Sequence, residues 1–187
     1  MSENEIPPRF AGAATSLAEV RQWSDAVLSG AAARLVVLGP IWSGKTHTAY
    51  AAVGQLLRAG YPLEQIVVHQ AHGLAIGGKY EPALIDSGPP VIVLDDVTGE
   101  VDNRAGVSAE RPVDDPESQA ALAATSAAVA DAVERLVSRA RTSWIVCASG
   151  VDQLNQCVGA DVTAKLLAVA QVINLPPRPL PPPVTFD

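Results

Sequence analysis

The stretch that most constrains this chain runs from residue 34 to residue 59. Arg34-Leu-Val-Val-Leu38 is a short apolar run, the pattern of a strand buried on both faces. It gives way at once to Gly39-Pro-Ile-Trp-Ser-Gly-Lys-Thr46. From Lys45 to about Ala59 the residues read as a helix, with Gly60 as its stop. The octapeptide satisfies GxxxxGK[ST] in full, and a strand feeding a glycine turn and a helix is the context that gives the pattern meaning. Gly39 and Gly44 let the backbone curl until its N–H groups point inward at phosphate oxygens. The N-terminus of the next helix adds positive potential. Lys45 reaches the β and γ phosphates, and the Thr46 hydroxyl ligates Mg²⁺. The expected nucleotide-binding residues are Gly39, Pro40, Ile41, Trp42, Ser43, Gly44, Lys45, Thr46 and His47, with ATP and Mg²⁺ as ligands.

Further apolar runs extend the pattern. Ile66 to His69, Val91 to Leu94, Trp144 to Ala148 and Gln171 to Leu175 read as four more strands. Between them lie helical segments: a weak helix and turn at about His72 to Ser87, a long Ala-rich helix from Pro116 or Ser118 to about Arg141, and short pieces at 151–156 and 161–168. Residues 98–116 are polar and read as a mobile loop. Upstream, Ile6 to Phe10 reads as extended because prolines fix it. Thr15 or Ser16 is the expected cap of a helix carrying Leu17, Val20, Trp23, Val27 and Leu28. Hydrophobic residues make up 48% of the 187 but aromatics only 4%, so the core is aliphatic, as suits helices on a parallel sheet. The expected fold is α/β, a P-loop NTPase core with a five-stranded parallel sheet flanked by helices. The expected division is a lead-in segment and helix at 1–30, the core at 31–175 and a proline-rich tail at 176–187, a stiff surface element.

The third strand ends in Asp95-Asp96. Beside a phosphate loop, a carboxylate at a strand end holds the metal, and a second polarises the attacking water. Asp95 is assigned to the metal with Thr46. Asp96 is assigned to the water, so that Lys45 and Asp96 are the catalytic pair. The net charge of -7 argues against a protein that grips duplex DNA by neutralising many phosphates. Cys147 and Cys157 have neither metal-site nor CxxC spacing and read as reduced thiols, Cys147 in the core. His69 and His72 read as structural or solvated. No leader is visible and no apolar run approaches 18 residues, so the expected location is the cytoplasm, away from membranes.

These residues together resemble the DnaC/IstB-type AAA+ ATPases, which load replicative helicases or assist transposases. The lead-in Ile6-Pro-Pro-Arg-Phe-Ala-Gly-Ala13 with Trp23, the phosphate loop running into Thr46-His47, the Asp95-Asp96 pair, and the strand 144–149 with the segment 159–167 carry the resemblance. It implies an ASCE/AAA+ core with Asp95-Asp96 as its Walker B pair. Where the family has a sensor-1 asparagine, this chain has Ser149 or Gly150. The family's arginine finger falls near Lys165, which lacks the planar fork of arginine. Prolines stand where a lid would begin, so a full C-terminal lid is not expected, and Arg178 is the nearest stand-in for its arginine. Little precedes the core, where loaders of this type carry a helicase-binding domain.

The expectation is therefore ATP binding with slow hydrolysis, a weak ATPase acting as a helicase-loader-like switch in DNA replication. Its partner would be a replicative helicase or another DNA-processing protein, with at most indirect or weak contact to single-stranded DNA and with ATP-dependent self-association. The alternatives are a transposition-helper ATPase and a nucleotide or small-molecule kinase, for which Arg104 and Arg111 in the 98–116 loop would serve a lid.

Overall fold

The computed structural model describes residues 6–71, 82–86, 90–97 and 116–178. Five parallel strands form one sheet: β1 (Arg34–Leu38), β2 (Ile66–Gln70), β3 (Val91–Asp95), β4 (Ser143–Ala148) and β5 (Gln171–Asn174), in the order β2-β3-β4-β1-β5. The helices are α1 (Ala18–Leu28), α2 (Lys45–Arg58), α3 (Ala83–Asp86), α4 (Pro116–Ser138), α5 (Val151–Val158) and α6 (Ala160–Val169). The expected parallel α/β core is present. The 98–116 loop, apart from its last residue, and His72 lie outside the described residues.

Alternation along each strand sorts the core into two layers. Leu35, Val37, Val91, Val93, Ile145 and Cys147 face α1 and α2, where Val20, Trp23, Val53 and Leu56 meet them. Val36, Leu38, Ile92, Leu94, Trp144 and Val146 face the opposite layer of α4, α5 and α6, packed by Val133, Leu136, Leu154 and Leu166. β1, β3 and β4 are apolar on both faces because both are covered. Trp23 ties the layers at the lower end of the sheet: its indole Nε1 donates to the carbonyls of Ala33 (3.0 Å) and Trp144 (3.2 Å).

Two expectations need correction. Pro8–Phe10 is a turn of 3-10 helix, not extended chain. Proline's fixed φ suits the first position of a helical turn, where its missing N–H loses nothing. Helix α1 begins after Leu17, with no side chain capping it; Thr15 Oγ1 instead accepts from the Leu17 N–H at 3.3 Å.

The topology also sets where the loops meet. The chain leaves β1 for α2 on one face, but leaves β3 and β4 for helices on the other. A crevice therefore opens at the carboxyl ends of β1, β3 and β4, the place where open parallel sheets bind ligands.

Candidate nucleotide site

At that edge lies a cavity of about 450 Å³. Its walls include Arg9, Phe10, Trp42, Lys45, Thr46 and Asp95. The loop 39–46 joins β1 to α2 across its floor. Gly39 is tightly enclosed: a β-carbon there would stand 2.5 Å from Ser43 Oγ and 2.9 Å from the Leu175 carbonyl oxygen. Gly44 has φ +99°, the left-handed region that favours glycine. It precedes the first turn of α2, whose N–H groups have no partner within the helix and point toward the loop. Lys45 Nζ donates to the carbonyls of Gly39 (2.6 Å) and Pro40 (3.0 Å), so its charge lies over the loop.

Thr46 and Asp95 come together from α2 and the end of β3. The Thr46 hydroxyl donates to Asp95 Oδ1 at 3.2 Å, and the Gln70 side-chain amide donates to Oδ2 at 3.0 Å. Asp95 is 2% exposed. Such burial holds one carboxylate in one orientation through two neutral donors. Asp96 follows at φ +56° and lines the cavity; aspartate is among the few side chains tolerated there. Beneath the pair, Cys147 is fully buried, with its Sγ 3.9 Å from the Lys45 carbonyl. Burial first, and Asp95 second, push this thiol well above its usual range, so it stays neutral.

The remaining loop residues divide. Trp42 sits at φ +65° and is 61% exposed at the cavity wall with Ile41, rather than folded into the cradle. Pro40 is exposed. Ser43 is buried, and its Oγ makes no hydrogen bond among the described residues. His47 lines the cavity, and its Nε2 lies 3.1 Å from the Ala14 carbonyl.

The cavity also gathers Arg9, Phe10 and Gln70, which the sequence does not assign to the site, and Ser149 and Arg178, which enter the sequence reading only through the resemblance, as the residues at the sensor-1 place and nearest to the lid arginine. Phe10 stacks on Tyr50 of α2 with ring centres 4.5 Å apart, and the Arg9 guanidinium lies 4.9 Å over the Phe10 ring. This stack draws the lead-in onto α2 and forms an aromatic wall. Burial, then Asp95, raises the Tyr50 hydroxyl above its ordinary pKa. Gln70 and Ser149 follow from position alone, since each stands at or just past a strand's carboxyl end. Lys165 lies away from this cavity and pairs with Glu134 of α4 at 3.5 Å, both side chains exposed.

The residues present fit a magnesium nucleotide. The loop approaches without side chains where glycines stand, a lysine and a helix N-terminus supply positive potential, and a hydroxyl and a fixed carboxylate form an oxygen donor set suited to Mg²⁺. Among the described residues no helix is long and apolar enough to cross a membrane.

No family model matches the sequence, and no curated protein matches it. Solved structures do. That of the DnaC helicase loader matches with a TM-score of 0.56 at 17% identity, over 90% of this chain and 99% of that one. DnaI matches at 0.59 and 13% identity, over 91% of each chain. AMPPCP-bound DnaA from Aquifex aeolicus matches at 0.53 and 12%, over 90% of this chain and 50% of that one. The chain thus shares the fold of these proteins, and the resemblance drawn from sequence is met at the level of the fold.

Proposed function

We propose that this chain binds Mg·ATP at the edge of β1 and β3 and acts as a slow ATPase switch that engages a replicative helicase. The observation that carries the nucleotide reading is the convergence of four residues from the start of α2 and the end of β3: Lys45 and Thr46 beside Asp95 and Asp96, with the Thr46 hydroxyl already on Asp95. Thr46 and Asp95 would hold Mg²⁺, which neutralises charge on the β and γ phosphates when bound. Lys45 would exchange its two loop carbonyls for phosphate oxygens, a gain because a charge-assisted bond to an anion is stronger than one to a neutral carbonyl. Asp96 would orient the attacking water.

Slow turnover follows from two residues. Ser149 stands at the end of β4, where a short hydroxyl reaches less far toward a water than an amide would. Lys165 is paired within its own chain and lacks the planar fork that stabilises a transferring phosphoryl group. Steady-state turnover of the isolated protein is expected below about 1 s⁻¹. The helicase partner is supported by the fold shared with the DnaC helicase loader and DnaI. The test is capture from host lysate in Mg·ATP and again in Mg·ADP. A replicative helicase retained only with ATP supports the switch. A transposase retained in its place makes this a transposition helper. Capture of neither, with phosphate transfer to a small acceptor, overturns the switch in favour of a kinase.

A further inference from the structure

The turn inside the phosphate loop is shaped for a glycine and carries a tryptophan. The Ser43 N–H donates to the Pro40 carbonyl at 3.1 Å, closing a four-residue turn. Trp42 is its third residue, at φ +65°. That is where turns of type II take glycine, and for a bulky side chain left-handed φ is an outlier. Packing does not explain the choice. Trp42 is 61% exposed, whereas Trp23 and Trp144, the other two tryptophans, are buried. Its indole stacks on no other ring among the described residues. Backbone strain that holds a large apolar ring in solvent brings the free protein no gain, so the gain lies in what the ring meets.

The cavity narrows what that is. Its polar wall, Lys45, Thr46, Asp95 and Asp96, suits phosphates and their metal, and its two large aromatic rings are Phe10 and Trp42. Phe10 has no face to offer. Tyr50 stacks on one, with centres 4.5 Å and planes 10° apart, and Arg9 lies 4.9 Å over the ring. Two groups so close cannot share a face, so Arg9 covers the other. Trp42 is the ring left open. We propose that Trp42 is the stacking platform for the nucleobase, so that the phosphate loop holds the base as well as the phosphates. The proposal rests on the nucleotide reading above. Its chemistry is contact between the faces of two flat π systems, which needs no hydrogen-bond partner and takes the exposed indole out of water. The turn fixes where the ring stands before the ligand arrives, which limits the entropy lost on binding.

The experiment is titration of the full chain with Mg·ATP and with magnesium tripolyphosphate, which lacks base and ribose, followed by calorimetry and by tryptophan emission. The proteins are wild type, Trp42→Gly and Trp42→Phe. The expected result is a loss of about tenfold in ATP affinity for Trp42→Gly and a smaller loss for Trp42→Phe, with tripolyphosphate affinity within about twofold of wild type for both. ATP should quench the exposed component of wild-type emission, the part missing from Trp42→Phe, and tripolyphosphate should leave it. Free Trp42→Gly should melt no lower than wild type, since glycine relieves the left-handed φ. Equal losses of ATP and tripolyphosphate affinity would make Trp42 a loop residue only and overturn the proposal. So would ATP binding by Trp42→Gly within twofold of wild type, or emission unchanged at saturating ATP, which would leave the ring for a protein partner. Failure of wild type to bind either ligand would instead overturn the nucleotide reading, and this one with it.

Discussion

The body of the sheet and its carboxyl edge are built by opposite rules. In the body, β1, β3 and β4 present aliphatic residues to both faces, and Leu35, Val36, Ile92, Ile145 and Val146 are fully buried. At the edge, a few residues further along the same strands, the chain runs into left-handed φ at Trp42, Gly44 and Asp96. There it also buries a carboxylate and leaves Trp42 in solvent. The body keeps to apolar residues and ordinary strand φ, and the edge departs from both within one loop and one strand end. Concentrated departure from local rules marks where a fold has been shaped for a ligand. Stability should therefore live in the body, and binding at the edge.

The largest expected effect is in the body. Trp144→Ala removes a fully buried side chain between the sheet and its covering helices and should cost about 3–5 kcal/mol in denaturant unfolding. A loss under about 1 kcal/mol would mean that the second layer is not the tight core described. Next comes Lys45→Ala, which should weaken Mg·ATP by roughly 10- to 100-fold in calorimetry while the free protein melts with wild type. A large drop in melting temperature would erase the distinction between body and edge.

Gly39→Ala is the sharpest test of the boundary between them. Its β-carbon would press on Ser43 Oγ and the Leu175 carbonyl. It should cost about 1–3 kcal/mol of stability and weaken ATP as well, because loop and β5 exit are displaced together. Neutral behaviour in both assays would show that the enclosure is slack. Asp96→Asn should keep ATP affinity within a few-fold and abolish whatever hydrolysis a phosphate-release assay detects in wild type; unchanged turnover would remove Asp96 from the chemistry. The smallest effect belongs to Lys165→Ala, whose exposed pair with Glu134 should leave the melting temperature unchanged within error.

The sequence announces the body well and the edge in part. The runs 34–38, 91–94 and 144–148 are legible because strands covered on both faces must be apolar throughout. The Lys45 helix is legible because glycines bracket it. The phosphate loop and Asp95-Asp96 are legible because their spacing encodes chemistry directly. Strand order is not, since no local pattern says that β1 lies between β4 and β5. That order is what brings Arg178 to the cavity; the resemblance offers it as the nearest stand-in for a lid arginine, but no local pattern in the proline-rich tail says where it lies. Arg9 and Phe10 escape for a related reason: their place depends on a ring stack with Tyr50, forty residues away. Gln70 is one residue past the expected end of its strand, and its bond to Asp95 needs the β2–β3 register.

The central claim is that the edge of β1 and β3 holds Mg·ATP through Lys45. Thermal melts of wild type and Lys45→Ala, each with and without saturating Mg·ATP, test it most directly. A ligand at about 100 times its Kd stabilises by about 2.7 kcal/mol, which for a domain of this size is a shift of several degrees. The account predicts that shift in wild type and its loss in the variant. An equal shift in both proteins, or none in wild type, would contradict it.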